Sequence, residues 1–288
     1  MTSITQLYNN IKTFVLQTFE SKEEEDINLP IEVEQLFNYV NGKILNSPII
    51  LKFTGQTLSQ YTSNTLIGSD IIIDYGDENV IVYEGDYSHT YTTSENYTIK
   101  IYGVIELENS CFKNCTGLTS INIPNTITSL ENHCFNSCTG LTSINIPNTV
   151  TSLGDGCFYG CSGLTSVVIP NSVTSLGSSC FNRCTGLTSI NIPNSVISLG
   201  QICFGYCTDL ASITIPNSVT SLGTYCFYNC TGLTSITLNW STNDEIITYN
   251  QDWIKNASSN LLFYIPNGTT SLYTAKGYPS DKLLEVSD

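Results

Sequence analysis

From Cys111 to Cys230 the chain repeats itself every 23 residues. The first cysteines of the units, Cys111, Cys134, Cys157, Cys180, Cys203 and Cys226, keep that step, as do the second ones, Cys115, Cys138, Cys161, Cys184, Cys207 and Cys230. All twelve cysteines therefore stand in one setting, Cys-Phe-x-x-Cys, used six times. A fixed period of this length leaves few folds open. Each unit is too small to bury its own apolar face, and only stacking of successive units completes a core.

In the fourth unit the apolar positions are Cys180, Phe181, Cys184, Leu187, Ile190, Ile192, Val196 and Leu199. The stretch Leu-Thr-Ser-Ile-Asn-Ile-Pro ends in period-two alternation, as a half-buried strand does. Pro-Asn then turns the chain, because proline cannot donate to a ladder and asparagine suits turn geometry. Val-x-Ser-Leu-Gly reads as a second short strand closed by glycine. Cys-Phe-x-x-Cys sets its sulfurs at i and i+4, on one side of a single helical turn. The expected fold is a mostly β, right-handed solenoid over residues 104–240, about 30 Å long from six or seven coils at strand spacing.

The units from about Val104 to Trp240 resemble the BspA-like leucine-rich repeats, whose pattern runs L-x-x-I-x-I-P-x-x-V-x-x-I-G-x-x-A-F-x-x-C. A half-unit, YTIKIYGVIELENS, leads into the first copy. Cysteine stands here where that family usually has alanine before phenylalanine. Upstream, residues 47–103 are similar to the later strands of a PKD-type β-sandwich at Gly76, Asp77, His89, Tyr91 and Tyr97, with Glu78 in place of a glycine. Residues 1–46 read as one or two helices broken by the acidic run SKEEED. Residues 241–288 lose the phase but keep an echo, LLFYIPNGTTSLY, and read as the C-terminal cap that an array needs.

Composition narrows the function. Charged residues make up 12% of the chain and the formal net charge is −15, which argues against nucleic acid as a partner, since that needs a basic footprint. Residues 1–100 carry 14 Asp/Glu against 5 Lys/Arg, and residues 101–240 carry 5 against 2. No apolar run reaches the length of a membrane span, so no membrane insertion is expected. The N-terminus has no signal-peptide pattern, which points to the cytoplasm, whereas the family resemblance implies a cell or particle surface.

Three readings compete for the cysteines. Zinc would need four ligands from neighbouring coils, without the usual C-x2-C knuckle. Disulfides would need Cβ atoms closer than in-register stacking allows, and an oxidising compartment. The favoured reading is two ladders of reduced, buried thiols flanking a spine of Phe112, Phe135, Phe158, Phe181, Phe204 and Phe227, since free cysteine packs as a small hydrophobe. Asp74, Asp77, Glu78, Glu84 and Asp86 cluster on turns, where solvation is favoured over a calcium site. His89 and His133 are the two histidines. A dyad of His133 with Cys134 has no counterpart in the other five units, so no catalytic residue and no cofactor is expected.

Variation among the copies marks the candidate surface. Outward strand positions barely change: Ser120/Asn122, Ser143/Asn145, Ser166/Val168, Ser189/Asn191, Ser212/Thr214 and Ser235/Thr237. Diversity gathers beside the Cys-Phe segment, at Lys113, His133, Tyr159, Arg183, Tyr206, Tyr225 and Tyr228. Tolerant surface sites would vary in this way, but exposed tyrosine with arginine is also what interfaces favour. The uncharged Ser/Asn/Thr strip is a second candidate, suited to glycan hydroxyls. The resulting expectation is a non-catalytic binding or adhesion module with a protein or glycan partner. The alternative is a structural part of a fibre or virion that homo-oligomerises through residues 1–46.

Overall fold

The structure, a computed structural model, describes residues 49–54, 66–74, 80–82, 96–243 and 245–286. The helices expected within 1–46 lie outside these, as do Gly76, Asp77, Glu78, Glu84, Asp86, His89 and Tyr91.

Four strands come first: β1 (Ile49–Thr54), β2 (Leu66–Asp74), β3 (Val80–Val82) and β4 (Asn96–Leu107). The repeats follow, each contributing one strand to the same side of the stack: β5 (Leu118–Asn122), β6 (Ser143–Asn145), β8 (Ser166–Val168) and β10 (Ser189–Asn191) in one parallel run, and β12 (Ser212–Ile215) and β14 (Ser235–Leu238) in a second sheet. A constant period brings equivalent residues face to face, so Ile121 pairs with Ile144 and Asn122 with Asn145. The side-chain alternation of a strand then puts the isoleucines inside and Ser/Asn outside, in the order exposed, buried, exposed.

A second, thinner ladder is built from β7 (Ser152–Leu153), β9 (Ser175–Leu176), β11 (Ser198–Leu199) and β13 (Ser221–Leu222), again parallel and in register. Between the two ladders runs the phenylalanine spine. Successive ring centroids stand 5.3–5.7 Å apart with planes within 17° of parallel. All six rings are buried, flanked by twelve buried, free cysteines. The coils approach so closely at the glycine that ends four of the units, Gly154, Gly177, Gly200 and Gly223, that a Cβ on Gly177 would lie 2.6 Å from the Asp155 amide nitrogen. Only glycine leaves that gap open.

The Cys-Phe-x-x-Cys segment departs from the expected helical turn. It closes as successive turns whose amides alternate between two destinations. In the first copy Ser110, Phe112 and Asn114 donate to Asn132, Cys134 and Asn136 of the next coil, whereas Cys111, Lys113 and Cys115 donate three residues back. Half of these N–H groups are thus committed to stacking, which a helical turn would have kept for itself.

Upstream, β1 pairs antiparallel with both β4 and β5, and β2 pairs antiparallel with β4 and β3. The sheet order is β10-β8-β6-β5-β1-β4-β2-β3. Among the described residues, those of 47–103 therefore extend the solenoid's first sheet and form no second layer against it. β4 runs through residues 103 and 104 without interruption.

At the other end, β15 (Leu262–Pro266) and β16 (Leu283–Val286) continue the ladder of β12 and β14, and α1 (Thr270–Ala275) crosses beside them. Trp240 Nε1 donates to the Val219 carbonyl at 3.0 Å, and the Tyr273 hydroxyl donates to that of Trp240 at 2.9 Å. Trp240 and Tyr273 are fully buried.

The thiols do more than fill space. Each second cysteine from the second coil onward donates its S–H to the phenylalanine carbonyl of the coil before: Cys138 to Phe112, Cys161 to Phe135, Cys184 to Phe158, Cys207 to Phe181 and Cys230 to Phe204, at 2.9–3.2 Å. That carbonyl already accepts a local amide, Cys115 to Phe112 for example, so the thiol fills its second lone pair. Such an S–H is unavailable to a disulfide. Replacing Cys180 by Ala is expected to be nearly neutral, and Cys184→Ala to cost about 1–2 kcal/mol, for lost volume and a lost donor. Denaturant unfolding of the two single variants, each with and without reductant, checks both points. Equal costs, or a midpoint lowered by reductant in the parent protein, would contradict this role.

Candidate functional site

The residues before each of the two cysteines in a unit share one backbone feature, a positive φ. It is 63° at Ser110, 64° at Asn114, 58° at His133, 63° at Arg183, 54° at Ile202, 58° at Tyr206 and 61° at Tyr225. This left-handed conformation swings the amide toward the neighbouring coil. Arg183 N–H meets the Gly205 carbonyl at 2.8 Å, and Tyr206 N–H meets that of Tyr228 at 2.7 Å. Glycine is the natural occupant of such a corner, and the third coil has it twice, at Gly156 and Gly160. A bulky or β-branched L-residue there costs about 1–2 kcal/mol. Arg183, Ile202, Tyr206 and Tyr225 all lie in the last three coils, which therefore carry the greatest corner strain.

Three of these corner residues, Arg183, Tyr206 and Tyr225, meet Tyr228 and Lys255 in one row of side chains. The Arg183 guanidinium lies over the Tyr206 ring, 4.8 Å from its centroid. Tyr206 and Tyr225 each meet Tyr228 edge-on, at 5.3 and 5.5 Å and interplanar angles of 74°. The Lys255 ammonium closes the row 5.8 Å from the centre of the Tyr225 ring. Arg183 and Lys255 are exposed and the three tyrosines are half-exposed. Among the described residues neither cation has a carboxylate partner. The result is a ridge, Arg183–Tyr206–Tyr228–Tyr225–Lys255, along the C-terminal half of the array.

Of the seven candidate residues, four thus meet. His133 stands on the second coil, with Nδ1 3.2 Å from Asn136 Nδ2 and its ring over Gly156. Lys113 is exposed on the first coil, three coils from Arg183, and Tyr159 is half-buried on the third. Lys255 belongs to the site although nothing in the repeat pattern marks it, since the tail has lost the phase that aligns residues. Its backbone provides the reason. The Phe227 and Asn229 amides find their next-coil partners in the carbonyls of Trp253 and Lys255, at 2.6 and 3.0 Å, so residues 253–255 act as one further corner.

The second candidate surface, the strand strip, is exposed at Asn122, Asn145, Asn191 and Thr214, with Val168 breaking the polar ladder at 76% exposure. No helix among the described residues is long and apolar enough to cross a membrane. Among them also, no three His, Cys, Asp or Glu gather as a metal would require.

Comparison with known proteins gives the architecture its family. The model of the BspA type leucine rich repeat region matches residues 85–208 and 155–275. The chain belongs to the BspA-type leucine-rich repeat family. No curated protein matches it. Solved structures similar to this BspA-type chain include a leucine-rich repeat protein of T. pallidum, TpLRR, at 20% identity and a TM-score of 0.42, covering 65% of this chain and 81% of that one. Another, from Bacteroides ovatus, has 19% identity and a TM-score of 0.29, covering 77% and 78%. The pneumococcal vaccine antigen PcpA has 15% identity and a TM-score of 0.42, covering 55% and 43%. The BspA-type repeat of this chain thus spans β4 to the cap, with cysteine at the alanine position and a cross-coil thiol donor five times over.

Proposed function

We propose that this chain is a non-catalytic protein-binding module whose docking surface is the corner ridge of its last three coils. One observation carries the reading: three of the strained left-handed corners with large side chains, Arg183, Tyr206 and Tyr225, stand in the exposed cation–tyrosine row. Backbone strain that glycine would relieve persists where the surrounding structure holds it for a purpose. Exposed Tyr and Arg on a rigid scaffold are the residues from which interface anchors are made. The inner face offers nothing comparable, because its side chains are buried, and the strand strip carries small polar residues broken only by Val168. A repeat array of this kind presents its surface as one extended, stiff platform. A role at a cell or particle surface, which membership of the BspA-type family suggests, is part of this proposal.

A photo-crosslinking amino acid at Tyr228 is expected to yield discrete adducts with proteins of a host-cell surface extract, and the same group at Asn191 on the strand strip none. Equal yields at both positions, or none at Tyr228, would overturn the assignment. Light scattering of the purified chain supplies the complementary arm: a monomer fits a binding module, whereas a trimer or larger assembly favours a fibre or particle component joined through residues 1–46.

A further inference from the structure

Building on the ridge as the docking surface, we infer that the partner segment it takes is an acidic peptide in extended conformation. The inference rests on charge, ring geometry and spacing. Residues 104–240 hold only two basic residues, Lys113 and Arg183. Over 180–255, the span of the ridge, the carboxylates are Asp209, Asp244, Glu245 and Asp252, and among the described residues none forms an ion pair with Arg183 or Lys255. The acidity of the chain lies upstream, with 14 of its 25 Asp/Glu in residues 1–100. The ridge's own side chains are thus two cations and three tyrosines, with no carboxylate among them, in an acidic protein.

Both cations are held ready. An arginine stacked on a ring keeps its planar fork fixed, with its N–H edge free to grip a carboxylate with two parallel bonds. Arg183 does this on Tyr206, and Lys255 sits over Tyr225 at the far end. These same contacts argue against a sugar. A saccharide stacks on an open, flat aromatic face, but here cations cover faces of the two outer rings, and the central Tyr228 stands at 74° to both. What remains open is phenol edges between two donors. The ridge crosses successive coils spaced like strands, about 4.8 Å apart. An extended peptide laid along it places alternate side chains about 6.6–7 Å apart on one face. Acidic side chains at intervals of two or more then reach each cation in turn, while the residues between them pack on the phenol edges.

Fluorescence anisotropy on the full chain tests this with four probes: a labelled peptide of alternating Glu and Ser, its Gln/Ser counterpart, a sialylated oligosaccharide and a heparin-derived one. The Glu peptide is expected to bind, increasingly weakly as salt is raised, and the Gln peptide not to bind. The exposed double change Arg183→Gln with Lys255→Gln should raise Kd at least about tenfold, with unchanged circular dichroism. Lys113→Gln, a charge loss on a distant coil, should leave Kd within about twofold. The inference falls if the Glu peptide does not bind, if the Gln peptide binds as well, if Lys113→Gln weakens binding as much as the double change, or if only the oligosaccharides bind. None of those outcomes alters the crosslinking result at Tyr228, so the choice of surface and the nature of its partner are judged separately.

Discussion

The protein is expected to unfold cooperatively between about pH 9 and pH 10, far below the range in which most folds fail in alkali. Burial raises the thiols of Cys134, Cys138, Cys157, Cys161, Cys180, Cys184, Cys207 and Cys226 well above their ordinary value of 9.0, and pushes those of Cys203 and Cys230 up to about 12. A thiolate cannot form in this core, because it would be a buried charge without a partner. The unfolded chain ionises freely from pH 9 upward and the folded chain does not. Stability from these groups is therefore intact below pH 9 and is lost as pH rises toward the folded values. Each cysteine contributes about 1.4 kcal/mol of loss per pH unit above 9. Ten acting together lose about 14 kcal/mol in the first unit, as much as the whole stability of a typical domain. Thiolate absorbance near 240 nm and the circular dichroism of the sheet should change in one step. Thiolates appearing near pH 9 with the fold intact, or a fold that survives pH 11, would refute the reduced, buried ladder.

Removal of residues 241–288 should leave a chain that does not fold to a soluble monomer. The truncation strips β15 from β14 and takes away the carbonyls of Trp253 and Lys255 that receive the Phe227 and Asn229 amides. It uncovers Leu233, Ile236, Leu238 and Trp240, all fully buried in the intact protein. Those four side chains alone represent roughly 6–12 kcal/mol of apolar burial, comparable with a domain's net stability. Gel filtration and thermal unfolding of the 1–240 chain give the outcome directly. A monomeric product with an unchanged melting temperature would mean that the array seals itself. A single substitution, Tyr273→Phe, offers a milder version, since it keeps the ring and removes only the hydroxyl bonded to Trp240.

How much of this could be read in advance differs from part to part. The inward positions were legible because the period is unbroken: a residue such as Phe181 or Leu187 has five equivalents, and chance cannot keep all of them apolar. The left-handed corners were not. Residue type signals them only at Gly156, Gly160, Asn114 and Asn229, while Ile202, Tyr206 and Tyr225 are residues that ordinarily avoid such a backbone. Aligning the six copies shows one glycine in each column and asparagine twice in the second, too thin a pattern to mark the corner. The S–H donation was hidden for another reason. Alanine and cysteine look alike to an apolar pattern, and only the distance from Cys184 Sγ to the Phe158 carbonyl separates filler from donor. On the upstream side, alternating strands were visible within 47–103, but nothing local to them tells whether β1 seeks a facing sheet or the edge of β5. That choice is made by the first coil, whose strand would otherwise stand unpaired.

The identity of one coil with the next has a further consequence, and it is genetic. Because Phe158 meets Phe181 as Phe181 meets Phe204, an interior seam looks the same on either side of any whole coil. Loss or duplication of one repeat's worth of coding sequence, the error to which recombination between near-identical stretches is prone, would rejoin matching surfaces and leave both ends capped. The array can therefore change its length by inheritance without passing through an unfolded intermediate form. The ridge escapes this freedom, because Arg183, Tyr206 and Tyr225 occur once each at their positions in the repeat and the cap alone supplies Lys255. Lineages carrying such a gene should differ in the number of early coils and agree in the last three.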